Sequence, residues 1–469
     1  MLGVRALSGK AVVIGSGVGG SAAGALLAKQ GYEVDLLETH PFAGGRCASL
    51  KRDGFVVDFG VHMFSRGGAG PHGEVNCLLG GDLGWITRDP PCRIMGKTEF
   101  DYPLDIRPLF TQVSIARKLG VRPGNYLGAF RLFRSLMAGR DVEKNDPVVL
   151  RDYVSRYTDD EMIHLFMTCI CQLYFTISYL EASAGEFIWS FTRMFNDASF
   201  GYPRGGSGDI PGSFLRSLER LGGRVHYEEP VRRIRVEGGR VRAMETGRAE
   251  YPANLVVSNA GLRRTVELAG RENFGEEYAG KADRYADSNA YVTVKLALER
   301  KVIPYPVVFY MPDLPPEKVF SHLETGTVPE DPYIFMPVPT NQDPGLAPEG
   351  KQLVIAGTAV PADASPELCD AILDKVYERV LDLFPGIENA LLWQSRTLSG
   401  DTRELTAHKA GECIGLAQTP DQVGNRRPEH RTPVEGLMLV GSDAGARGIG
   451  TEIASGSALN LSRALSSSP

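Results

Sequence analysis

The stretch Ala11-Val12-Val13-Ile14-Gly15-Ser16-Gly17-Val18-Gly19-Gly20 decides how this 469-residue chain folds. Four apolar residues running into glycine read as a buried parallel strand. Ser21 to Gln30 follows, rich in Ala and Leu, and reads as a helix with Gly31 as its C-terminal cap. Glu33-Val34-Asp35-Leu36-Leu37-Glu38 reads as a second strand, closed by an acid about twenty residues beyond the glycines. Strand, glycine loop, helix, strand and terminal acid together make a dinucleotide-binding βαβ unit. Gly15 makes the tight turn, Gly17 lets the backbone approach a diphosphate, and Gly20 lets the helix pack on the strand. Val18 and Gly19 lie in the loop that leads into the helix, whose free N–H groups and partial positive charge suit phosphates. Glu38 is placed to accept hydrogen bonds from both ribose hydroxyls and would repel a 2′-phosphate, which disfavours NADP.

Working outward, Gly44-Gly45-Arg46 follows the second strand, and Gly54-Phe55-Val56-Val57-Asp58-Phe59-Gly60-Val61-His62 comes soon after. Tyr202-Pro203-Arg204-Gly205-Gly206-Ser207-Gly208 precedes an amphipathic helix expected over 209–221. Short strands are expected at 224–227, 231–236 and 241–244, the last two joined by a Gly238-Gly239 hairpin turn, and a buried one at 255–260. Near the far end, Gly436-Leu437-Met438-Leu439-Val440-Gly441 reads as a strand. It runs into the glycine-rich loop Ser442 to Gly450 and a helix over 451–465.

These motifs resemble the phytoene desaturase-like branch of the FAD-dependent amine oxidase superfamily. The resemblance is dense at the two ends of the chain and loose between them. It implies FAD as cofactor, with Gly45 and Arg46 contacting it and the backbone of Val231 holding the adenine. It implies a second FAD motif at Gly441, Asp443, Gly450, Thr451 and Ile453. There an acid meets the ribityl chain, and N–H groups at the helix start stabilise negative charge on reduced flavin. This chain departs from the pattern, because Ser442 follows Gly441 and the acid comes one place later. Either Asp443 or Ser442 is expected to take the acid's place, and Thr451 and Glu452 equally suit a simple helix start. The resemblance places His62 on the substrate side of the flavin as a candidate acid/base group. It also likens Lys295 to an amine oxidase lysine that holds a water at flavin N5, although a solvated strand lysine fits its position as well. Arg66 and Arg447 are candidate contacts for an anionic substrate or a phosphate.

The expected architecture is α/β: a Rossmann-type, glutathione-reductase-like FAD-binding domain that is discontinuous, with an inserted α+β substrate domain. Residues 1–95, 203–285 and 405–469 are assigned to the first and 96–202 and 286–404 to the second. The first insert reads as helices over 109–119, 125–138, 148–157, 161–178 and 181–195. The second reads as strands over 290–298, 307–311, 333–336 and 352–356, crossed by a helix over 367–383.

Composition narrows the classes. A net charge of −6 gives no reason to expect nucleic acid. Seven cysteines without a Cys-x-x-Cys pair fit a reduced cytoplasmic compartment, and no metal-ligand spacing is seen. No apolar run reaches the roughly 18–20 residues of a spanning helix. Arg117, Lys118, Arg122, Arg131, Arg134 and Arg140 nevertheless flank Leu and Phe residues, a pattern compatible with peripheral contact to anionic lipid.

The expected function is an FAD-dependent oxidoreductase moving a hydride between flavin N5 and an organic substrate. The favoured reading is a desaturase, saturase or isomerase of an apolar, isoprenoid-like small molecule. The alternatives are an amine or amino-acid oxidase using oxygen and, remotely, a non-catalytic carrier of prenylated proteins.

Overall fold

The computed structural model describes residues 9–60 and 63–467. His62, expected as a catalytic candidate, lies outside the described residues.

The opening strand, Lys10–Ile14, sits at the centre of a five-stranded parallel sheet. Its order is Leu437–Leu439, Leu255–Ser258, Lys10–Ile14, Glu33–Leu37, Arg224–His226. Val13 lies between Leu36 and Val257, so the central strand is covered on both edges. The sheet thus joins the start, middle and far end of the chain. The first helix runs Val18–Lys29, beginning three residues earlier than expected, inside the glycine loop itself. Its residues Val18 to Ala28 are all buried, so packing offsets the poor helix propensity of its glycines. It packs against Asp209–Arg220 and Gly450–Ser466, with Leu26, Leu218 and Leu459 in one core.

A second sheet has seven strands in the order Leu391–Thr397, Ala290–Leu298, Gln352–Val360, Ile334–Pro337, Val307–Met311, Cys92–Gly96, Phe100–Tyr102. The boundary expected at residue 95 is corrected here: Cys92–Gly96 belongs to this sheet, paired in parallel with Val307–Met311. Strand Ala290–Leu298 has two buried faces. Val292, Val294 and Leu296 pack under helix Pro366–Leu383, whereas Tyr291 joins the core of the helical insert.

That insert contains Leu109–Leu119, Tyr126–Ala138, Leu150–Ser155, Glu161–Phe175 and Ala184–Asp197. The Asp160 carboxylate accepts from the Met162 amide at 3.1 Å, and the Ser183 hydroxyl from the Glu186 amide at 3.3 Å, each starting a helix. Helix Glu161–Phe175 stops three residues before the expected Ser178, because Thr176 turns left-handed at φ 50°. Among the described residues no helix is long and apolar enough to cross a membrane.

Candidate active site

A cavity of about 370 Å³ runs from the glycine loop of the parallel sheet to the face of the seven-stranded sheet. Gly15, Gly17, Val18, Gly19, Glu38, Gly45, Arg46, Val231, Gly441, Asp443, Gly450 and Thr451 line it. Gly20 and Ile453 do not; both are buried behind the wall.

The glycines are required by contact. A Cβ on Gly20 would fall 2.0 Å from the Gly15 carbonyl oxygen, and one on Gly19 would fall 2.8 Å from Gly441 Cα. The two glycine-rich segments, at opposite ends of the sequence, therefore meet backbone to backbone. Gly15 has φ 88°, the left-handed turn expected of it.

Glu38 follows its strand directly. Its Oε2 accepts from the Ser16 amide at 2.8 Å and the Ser16 hydroxyl at 2.5 Å, and Oε1 accepts from the His40 amide at 2.9 Å. Three donors thus hold Glu38, and one lone-pair position on Oε1 stays open to a ribose hydroxyl. Arg46 donates to the Glu412 carbonyl at 3.0 Å and the Ser442 hydroxyl at 3.2 Å. The question of Ser442 or Asp443 resolves into two positions: Ser442 meets Arg46, while Asp443 Oδ2 accepts from the Leu262 amide at 3.0 Å. Asp443 Oδ1 is buried on this wall without a partner among the described residues. A buried carboxylate oxygen left so is a place for a donor, and a ribityl hydroxyl is one. The glycine cradle, Arg46, this orphan oxygen and the start of helix Gly450–Ser466 all fit FAD.

His408 and Glu412 were not anticipated from sequence. His408 lines the cavity, and its Nδ1 donates to Glu412 Oε1. Burial pulls the imidazole pKa down, but the Glu412 carboxylate more than offsets this, so the net shift is upward. No motif marks the pair; its loop reaches the site by folding over Arg46, and Glu412 lies 366 residues further along the chain.

Several expectations are corrected. Lys295 is not solvated: it is buried, and its Nζ donates to Thr397 Oγ1 at 2.6 Å and stands 5.3 Å from the Phe59 ring centroid. Phe59 and Thr397 line the cavity; Lys295 stands behind them. Burial pulls its pKa down to about 8, against the opposing pull of Asp58 and Asp401. Arg447 does not line this cavity. It is locked between Asp146, at 2.5 and 2.8 Å, and Glu186, at 2.8 Å, and Glu186 Oε1 also accepts from the Gly448 amide at 3.0 Å. This network ties the second glycine loop to the helical insert. Arg66 is likewise engaged, donating to Asp197 at 2.5 Å. Thr451 Oγ1 lies 3.2 Å from His72 Nε2. Beside it, Glu452 is buried; its Oε1 accepts from the Arg66 amide at 3.1 Å, and its Oε2 has no partner among the described residues.

Fold and site define a flavin-dependent oxidoreductase built on a discontinuous Rossmann-type domain. Residues 19–459 match the family of flavin containing amine oxidoreductases, and the chain belongs to it. FAD is its cofactor. Family membership excludes the expectation of a non-catalytic carrier. The chain is 28% identical to a zeta-carotene-forming phytoene desaturase from Myxococcus xanthus, over 92% of this chain and 89% of that protein. It is 23% identical to prolycopene isomerase 2 of an Oncidium hybrid cultivar, over 92% and 79%. An oxidoreductase from Methanosarcina mazei superimposes with a TM-score of 0.74, covering 97% of this chain and all of that one at 21% identity, which shows the shared fold.

Proposed function

We propose that this enzyme acts on a carbon–carbon bond of a long apolar polyene, with FAD held by Arg46, Asp443 and the two glycine loops. Bound FAD supplies a two-electron acceptor or donor at N5. The observation that carries the reading is the wall contributed by the seven-stranded sheet and helix Glu161–Phe175. It consists of Leu173, Tyr174, Thr176, Tyr291, Thr293, Phe335 and Thr397, with no charged side chain. A polyene gains by leaving water for such a surface, and an ammonium or carboxylate finds no counter-ion among these seven side chains, although the Glu452 carboxyl stands beside Tyr174. The desaturase and isomerase relatives point the same way.

The same helix leads to a second apolar cavity, lined by Ile163, Phe166 and Met167 with Phe130, Phe133 and Leu136 opposite. Outside it, Leu109, Phe110, Val113 and Leu127 are exposed. Arg117, Lys118, Arg131 and Arg134 are exposed on the same two helices. Arg122, in contrast, is paired with Asp159 and Asp160. An apolar face ringed by cations suits an anionic bilayer, from which a water-insoluble substrate would be drawn.

Amine oxidation is the comparison, because Tyr174 and Tyr291 stand on the wall and a cation would stack on them. Their hydroxyls are tied back, to Met194 Sδ at 2.8 Å and the Gly357 carbonyl at 3.2 Å. The test is anaerobic: FAD-loaded enzyme is mixed with acyclic polyenes in liposomes, with primary amines, and with NAD(P)H. Flavin bleaching by polyenes, or reoxidation of reduced flavin by them, is expected. Bleaching by amines with all polyenes inert overturns the proposal.

A further inference from the structure

We propose that Glu452 is the proton-holding group of this site, exchanging with a substrate carbon the proton that accompanies hydride transfer. The inference rests on the polyene reading above and adds to it a residue with a stated role.

Glu452 stands on the cavity wall, in the first turn of helix Gly450–Ser466. A carboxylate in a helix's first turn is ordinarily solvated, and the dipole favours its ionised form. This one is 4% exposed and has one oxygen unpartnered, which favours the protonated acid. Its surroundings are mixed. Arg66 offers its amide to Oε1 and its charge nearby, while Asp197, paired to Arg66, is a second carboxylate. Tyr174 reaches the same spot from helix Glu161–Phe175, and its own pKa is raised, mainly by burial and in part by Glu452. His72, from helix Pro71–Leu79, engages Thr451 and Ser455 on either side of Glu452 along the helix. Burial is the largest influence, ahead of Arg66, and pushes the Glu452 carboxyl up to about 7. An acid poised near neutrality serves in both protonation states.

The sheet wall offers no group of this kind, and the titratable His408, which also lines the cavity, is bound to Glu412 at the Arg46 end. Thr176, Thr293 and Thr397 do not titrate in the working range, and Lys295 is screened from the cavity by Phe59 and Thr397. In desaturation, one hydrogen would leave with its C–H electron pair, for which bound FAD would supply the two-electron acceptor. The electron pair of the adjacent C–H bond becomes the new π bond, and that proton goes to Glu452 Oε2. Saturation runs the same exchange backward. Isomerisation needs only a proton given and returned.

The test uses FAD-loaded wild type, Glu452→Gln and Glu452→Asp. Infrared spectra taken across pH should show a buried carboxylic acid band that titrates near 7 and is missing from E452Q. Flavin reduction by a polyene should follow the same titration in wild type. It should fall about 100-fold or more and lose that pH limb in E452Q, with partial recovery in E452D. Flavin absorbance and FAD affinity should stay within about twofold, which separates proton exchange from cofactor retention. Absence of the band in wild type, or an E452Q rate and pH profile matching wild type, overturns the proposal. A titrating band with every polyene inert overturns the reading of the reaction and leaves Glu452 as the proton-holding group.

Discussion

At the scale of single residues, Lys295 shows how far burial outweighs pattern. Strand alternation sets it on the Tyr291 and Thr293 side, which would be solvent in a half-exposed sheet but is interior here. Its ammonium has one hydroxyl partner and one ring face for company. Its pKa in the fold, about 8, lies below the ordinary 10.5. Between those values the unfolded chain binds more protons than the folded one, so stability rises as pH climbs from about 8 to about 10.5. Below 8 the burial cost is constant and on the order of 3 kcal/mol. Lys295→Met should therefore gain stability at pH 7, on the order of 2 kcal/mol, and flatten the alkaline rise. Urea unfolding at pH 7 and pH 10 checks both. A loss of stability at pH 7 would mean that the Thr397 bond outweighs desolvation.

At the scale of elements, Thr176 ends helix Glu161–Phe175 in a conformation that β-branched residues rarely adopt. The turn is held from outside: the Asn289 amide donates to the Thr176 carbonyl at 3.0 Å. It also puts Thr176 on the cavity wall. Thr176→Gly should stabilise the chain by about 1 kcal/mol through relief of that strain, read as a shift in denaturant midpoint. Strong local periodicity made most elements legible beforehand. Leu109–Leu119, Ala290–Leu298 and Val307–Met311 follow the expected bounds, and Glu161–Phe175 departs only at its strained end. The βαβ unit was equally plain, because turn, close approach and acid fall within thirty residues. Strands Cys92–Gly96, Phe100–Tyr102 and Leu391–Thr397 were not legible. Cys92–Gly96 and Leu391–Thr397 owe their existence to partners far along the chain, and Phe100–Tyr102 is a three-residue strand paired with Cys92–Gly96. The site shows the same division. Gly15, Gly19, Glu38 and Arg46 were readable as motif, whereas the Glu412 pairing and the Asp146–Arg447–Glu186 lock join residues hundreds of positions apart. Glu452 was visible only as an acid that suits a helix start; its enclosure comes from Arg66 and Tyr174, which no local pattern brings near.

At the scale of the whole molecule, the helical insert carries an apolar cavity beneath an exposed apolar and basic surface. The enzyme should float with vesicles containing anionic lipid, less so at high salt, since each nearby cation contributes about 1 kcal/mol. Replacing Phe110 and Leu127 together by Asp should abolish flotation while leaving the flavin spectrum unchanged. Flotation on neutral vesicles that ignores salt would instead point to apolar insertion alone.

The contact of Gly19 with Gly441 carries a consequence for synthesis. The opening glycine loop leaves the ribosome about 400 residues before the strand that completes its groove. At about 5–20 residues per second, that interval lasts tens of seconds. Once Leu255–Ser258 has emerged, the nascent sheet keeps an open edge along it until Leu437–Leu439 arrives, and the nucleotide has only half a berth. Cofactor capture is thus among the last events in the making of this protein, and a ribosome that stalls shortly before Leu437 leaves a nearly full-length product without colour.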